Sequence, residues 1–214
     1  MSDYLSDREQ EEILRNWLRD NWRWMFGAVV LALVAIVGSR SWESYKTRRA
    51  EQAAAVFAEY RAADNEESRK SSFSRLVSEF KRSPYVWQAR LLEAKAYVDA
   101  GKYEEAASEL RAVVAEAKDD ELVQVARLRL ARVLIQLGNH DEALRLLKPE
   151  SAGAFAAQVR EVRGDALYAK GDSEGARAEY AAALAAGADA FTDRSLLEMK
   201  LQQTGGAVAD ARTP

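Results

Sequence analysis

One uncharged stretch constrains this chain more than any other feature: Trp24 to Ser39, inside "NWRWMFGAVVLALVAIVGSRSW", carries no acidic or basic side chain. A run of that kind crosses a membrane, is cleaved as a signal, or lies in a helical core. As α-helix it measures about 24 Å against a hydrocarbon layer of about 30 Å, so by itself it is short. If Arg23 and Arg40 extend their guanidinium heads into the headgroups, the usable helix becomes Trp24 to Trp42, about 28 Å, and suffices. Trp17, Trp22, Trp24 and Trp42, four of the five tryptophans, stand at or near its ends. Amphipathic rings gather at membrane interfaces in this way, whereas a core helix has no reason to collect them beside arginines. A cleaved signal is disfavoured by the acids that precede the run, Asp3, Asp7, Glu9, Glu11, Glu12 and Asp20, and by the lack of a clean small-residue cleavage site. The expectation is an uncleaved anchor over residues 24–42, with Trp22, Trp24, Arg40 and Trp42 at the interfaces of a lipid bilayer.

Charge does not orient that anchor. Arg8, Arg15, Arg19 and Arg23 flank it on one side and Arg40, Lys46, Arg48 and Arg49 on the other, a tie by the positive-inside count. Before it, Ser6 and Glu9 form a capping box and Ile13, Leu14, Trp17 and Leu18 one apolar stripe, so residues 1–23 predict an amphipathic helix. The stripe suits a membrane-surface extension of the span better than a partner-binding helix.

After the anchor three strings recur: "GKYEEA" at Gly101, "GNHDEA" at Gly138 and "GDSEGA" at Gly171. The glycines stand about 37 and 33 residues apart, the period of a helix-turn-helix repeat. Glycine ends one helix in a left-handed conformation, an acid stabilises the first turn of the next, and Ala106, Ala143 and Ala176 let the two approach closely. Aligned on the glycines, Ala94, Ala131 and Gly164 take the small position of the first helix, with Tyr97, Leu134 and Leu167 three residues on. Leu110, Leu147 and Tyr180 take the large position of the second. Each set occupies one face at helical spacing and cannot bury itself alone; stacked neighbours can. This is the tetratricopeptide pattern. With few prolines and much Ala, Leu, Glu and Arg, the chain is expected to be all-α: a transmembrane helix followed by a tetratricopeptide-like solenoid over residues 43–203.

Phe73, Leu76, Val77 and Phe80 make a further stripe before Pro84, so Arg48 to Ser83 reads as a degenerate leading helix pair. "FTDRSLLEMKLQQ", with Thr192 or Asp193 as N-cap, reads as a closing helix, and residues 204–214 are expected to be a disordered tail.

Catalysis has no foothold. The lone histidine, His140, falls in a repeat turn and is expected to be solvated. Glu104 with Glu105, Asp119 with Asp120 and Asp141 with Glu142 fall at helix starts, where the helix dipole accounts for them. The absence of cysteine removes thiol chemistry, disulfides and cysteine-held zinc. No nucleophile elbow or phosphate-cradling loop is present, and no cofactor or metal is expected. A net charge of −3 gives no basic field for nucleic acid.

The repeat register places a concave face on the first helices: Gln88, Leu91, Lys95 and Val98; Val125, Leu128, Arg132 and Ile135; Gln158, Glu161, Asp165 and Tyr168. It lacks the lysine and asparagine set that clamps a peptide carboxylate in some members of the repeat class. Extended or partly folded polypeptide, or the flank of another protein, suits it better.

The acidic N-terminal region, the span ending in "GSRSWESY", then "LRLARVLIQLGNHDEAL", "VRGDALYAKGDSEGARAEY" and "LLEMKLQQ", resemble the YfgM-like ancillary subunits of the bacterial SecYEG translocon. The likeness covers nearly the whole chain and is densest from Leu122 to Gln203. It implies an inner-membrane protein with a cytoplasmic N-terminus and periplasmic repeats. It also implies partnership with the translocon and with a membrane-anchored periplasmic chaperone of the peptidyl-prolyl isomerase type, with exported unfolded polypeptides as clients, and no catalytic residues. The alternative role is an envelope-stress or signalling regulator acting through the cytoplasmic N-terminal helix.

Overall fold

A computed structural model of the chain describes residues 7–187 and 193–205. Among them are nine α-helices, two short 3-10 turns and no strand. The helices are α1 (Asp7–Ala62), α2 (Glu66–Glu79), α3 (Pro84–Asp99), α4 (Tyr103–Glu116), α5 (Asp120–Gln136), α6 (His140–Leu146), α7 (Ala156–Ala169), α8 (Ser173–Ala185) and α9 (Arg194–Gln203). From α1 onward each packs antiparallel on its predecessor as helical hairpins, and the hairpins stack side by side.

The repeat turns are built as the glycine spacing predicts. Gly101, Gly138 and Gly171 take φ of 72°, 76° and 91°, the left-handed region that glycine enters without cost. In each turn the amide after the glycine donates back to the third-last helical carbonyl: Lys102 to Tyr97 at 2.8 Å, Asn139 to Leu134 at 2.8 Å and Asp172 to Leu167 at 2.9 Å. The glycine amide donates to the next carbonyl along, which completes a Schellman motif and satisfies groups that a helix end would otherwise orphan. Side-chain caps start the helices outside these turns, Asn65 for α2, Ser83 with Pro84 for α3 and Asp119 for α5, and within the last of them Asp172 caps α8.

The core follows. Ala106, Ala143 and Ala176 are fully buried, and so are the small and large partners Ala94 with Leu110, Ala131 with Leu147 and Gly164 with Tyr180. One apolar cluster runs from Ala53 on α1 to Ala166 on α7, and a smaller one joins α8 to α9 through Tyr180, Ala183, Leu197 and Leu201. Each fully buried leucine contributes about 1.5–3 kcal/mol by leaving water.

The N-terminal end differs from expectation. The leading helix pair does not begin at Arg48, because α1 is unbroken from Asp7 through the apolar run to Ala62, and its last turns are themselves the first helix of that pair. Ala53, Val56 and Tyr60 bury against α2 and α3. Nothing in the intervening "ESYKTRRAEQ" breaks a helix: it holds neither glycine nor proline. A stripe lying in the membrane plane would need a break ahead of Trp24, and α1 has none there. Ser6 lies outside the described residues. At the other end Asp193 is the N-cap of α9, accepting from Ser195 and Leu196, while Thr192 lies outside the described residues. Thr204 is not part of a loose tail: it is the buried C-cap of α9, and its carbonyl accepts from the Arg177 guanidinium. Residues 206–214 lie outside the described residues.

Candidate functional site

The apolar stretch of α1 is wholly unburied, which removes the reading of a soluble core helix. Among the described residues α1 is the one helix long and apolar enough to cross a membrane. Trp22, Trp24 and Trp42 are 59%, 81% and 60% exposed at its ends. Such a continuous apolar surface needs a covering, and its length and aromatic ends match a bilayer.

The second candidate surface lies between α3 and α5, successive first helices of the solenoid. A hollow of about 310 Å³ is floored by Ala94, Val98, Leu110 and Val133 and rimmed by Lys95, Arg129 and Arg132. Arg129 and Arg132 form the wall shared with a larger hollow of about 700 Å³, where Leu122, Val125, Leu128, Phe155 and Gln158 meet Asp119 and Glu121. Lys95 bonds Asp99 at 2.5 Å, while no ion pair holds Arg129 or Arg132 among the described residues. The combined site is an apolar channel with two free guanidinium groups at its midpoint.

Of the concave-face residues expected from the register, Lys95, Val98, Leu128 and Arg132 line these hollows, with Val125 and Gln158. Leu91 does not: it is a core residue that reaches the wall of neither hollow. Ile135 is half-buried against the same core. Glu161 and Tyr168 are taken by the end cap. The Lys200 ammonium of α9 donates to Glu161 at 2.7 Å and to Asp165 at 2.8 Å, and the Tyr168 hydroxyl accepts from Gln203 at 3.2 Å. A helix that closes a solenoid packs against the last repeat, so Glu161 is buried beneath α9 while Tyr168 stays exposed at its edge. Arg129 and Phe155 were missed. Arg129 stands one position off the expected stripe, and Phe155 belongs to a 3-10 turn with no repeat counterpart.

Two buried tyrosines fix the seams flanking the channel. Tyr180 donates to Asp165 at 2.9 Å, and burial, with the Asp165 charge beside it, pushes its hydroxyl far above the usual range. Tyr60 is raised likewise by burial and then by Glu93, which Arg69 pairs at 3.1 Å. Both stay protonated donors throughout the physiological range and act as structural latches. His140, expected in solvent, is instead the half-buried first residue of α6. No cluster of three metal-ligating side chains occurs among the described residues.

Comparison with known proteins agrees with this architecture. The profile of a tetratricopeptide repeat-like domain matches residues 15–206. The chain is 32% identical over 184 residues to a protein of Escherichia coli (strain K12) described as an ancillary SecYEG translocon subunit, covering 85% of this chain and 89% of that one. No solved structure matches the chain.

Proposed function

Since the chain belongs to the YfgM-like ancillary SecYEG translocon subunits, membrane-anchored tetratricopeptide-repeat proteins, we propose that it works as a non-enzymatic adaptor beside that channel. In this reading α1 crosses the inner membrane once, with the N-terminus in the cytoplasm and the repeats in the periplasm. The α3–α5 channel takes extended segments, either of newly exported chains or of a membrane-anchored periplasmic chaperone of the peptidyl-prolyl isomerase type, and so assists hand-over from one to the other.

The observation that carries this is the pairing of an apolar floor with the unpaired Arg129 and Arg132. Aliphatic side chains of an unfolded segment fill the floor and its carboxylates meet the guanidinium groups. Affinity need not be high. A weak site tethered in the membrane plane sees an emerging segment at a raised effective concentration.

Site-specific photo-crosslinking in the full-length protein tests it. A crosslinker at Val98 is expected to capture exported chains or the chaperone, and one at Arg111 on the outer helix α4 is expected not to. Equal capture at both positions removes the channel assignment. The regulator reading draws on the exposed stripe Ile13, Leu14, Trp17 and Leu18. Deleting residues before Trp17 separates the two, since the adaptor keeps its translocon association and a regulator loses its activity.

A further inference from the structure

The unbroken α1 has a consequence at its outer interface. Trp42 stacks on Tyr45 with centroids 6.2 Å apart, and the Lys46 ammonium lies 5.5 Å from the Trp42 ring, so the aromatic belt and the first cation above it are one cluster. One turn higher, Arg49 donates to the Glu79 carbonyl at 2.6 Å and lies 4.5 Å from the Phe80 ring. Those contacts bring the α2–α3 turn down beside α1, because α2 runs antiparallel to it and ends at Glu79. The turn carries Lys81 and Arg82. The result is a hollow of about 650 Å³ whose wall includes Tyr45, Lys46, Arg49, Lys81, Arg82 and Ser83.

Among the described residues none of these four cations is in an ion pair. The acids nearby, Glu43 on α1 and Glu79 on the wall, leave the patch positive. Arg49 stands about 10 Å along the helix from Trp42, beside the headgroup layer, and the long side chains of the turn reach toward it. Far from the membrane such a patch would be ordinary surface. Here the anchor helix itself fixes its height.

We propose that this shelf binds an anionic phospholipid headgroup, the phosphodiester being held between α1 and the α2–α3 turn. The proposal rests on Trp24 to Trp42 crossing the bilayer. It gives the repeat domain a second contact with the membrane, so the domain is held at a set angle and does not swivel about its helix. The four cations come from segments more than thirty residues apart in sequence, so no local motif announces them.

The test uses the full chain in nanodiscs of phosphatidylcholine, with or without phosphatidylglycerol, and follows amide exchange of residues 79–83. Phosphatidylglycerol is expected to slow that exchange, and each cation removed is expected to weaken the contact about fivefold. K81Q with R82Q should abolish the protection while K81R keeps it, which separates charge from folding. The same exchange with and without phosphatidylglycerol, or equal protection in the K81Q/R82Q chain, overturns the proposal. Protection by inorganic phosphate in phosphatidylcholine discs equal to that by phosphatidylglycerol also overturns it, in favour of a free-anion site. A chain that separates from the discs on gel filtration fails earlier, at the span itself.

Discussion

The last hairpin, α7–α8, and the middle one, α5–α6, follow one plan and are closed by different means. In every repeat the small residue of the first helix stands sixteen before the large residue of the second: Ala94 and Leu110, Ala131 and Leu147, Gly164 and Tyr180. Where the second helix offers leucine the first offers alanine, and where it offers tyrosine the first offers glycine. Nineteen residues separate Arg90 from its partner Glu109 and Arg160 from its partner Glu179 at 3.2 Å. The same register in the middle hairpin pairs Arg127 with Leu146, so it has no such clasp. Its second helix is also short, seven residues against thirteen in α8, with Pro149 close behind. Closure comes instead from the neighbour. Arg163 of α7 pairs with Glu179 at 2.7 Å and donates to the terminal carbonyls of Leu144 and Leu147 at 3.2 and 2.9 Å. A unit of a solenoid can thus be deficient by itself and complete in the stack.

The sharpest break of this contrast is Gly164→Ala. On an exposed helix this change gains about 1 kcal/mol. Here the added Cβ would lie 2.4 Å from Tyr180 Cε1, and the ring is held by its bond to Asp165 with Lys200 above it. A net loss of about 2–3 kcal/mol is expected in chemical denaturation of the full chain. Adding Tyr180→Leu should recover most of it by restoring the alanine-leucine pairing of the other hairpins, so a double-mutant cycle should show strong coupling. Additive effects would mean that the small-large pairing is incidental.

Arg163→Met tests the borrowed closure. It keeps the apolar stem and removes the bonds to Glu179, Leu144 and Leu147, for an expected cost of about 1–2 kcal/mol. The distribution matters more than the size. Hydrogen exchange should rise in α6, whose carbonyls lose their cap, more than in α8, where Glu179 keeps Arg160. Uniform loss across both hairpins would show that α6 is closed by its own packing.

What the sequence disclosed follows from range. The repeat turns, the buried alanines and the anchor are local or periodic, and each was legible: Gly101, Gly138 and Gly171 at fixed spacing, tryptophans at the ends of one apolar run. Continuity of α1 was harder, because a helix that passes from lipid to water to protein core changes its pattern twice without a breaking residue. The concave face was half legible. Lys95, Val98, Leu128 and Arg132 followed from register. Glu161 and Tyr168 are engaged by α9, which buries the first under Lys200 and hydrogen-bonds the still exposed second through Gln203, a tertiary fact that no periodicity in α7 carries.

The smallest expected effect concerns an exposed bridge that joins the two hairpins, Lys170 to Asp141 at 2.6 Å. Both side chains are largely in water, so solvent screens the pair and its removal should cost less than either change above. Its signature is pH dependence. The Lys170 hydrogen bond, and then its charge, hold the Asp141 carboxyl below the usual carboxylate range in the folded chain. A depressed folded value adds stability above the ordinary aspartate pKa, and that increment is lost as pH falls through the lowered one. Lys170→Ala should therefore lower stability slightly at neutral pH, leave it equal to the parent in strong acid, and raise the Asp141 titration midpoint measured by NMR. If the midpoint does not move, the bridge is a contact without energy, and the middle hairpin is tied to the last by Arg163 and the shared apolar core.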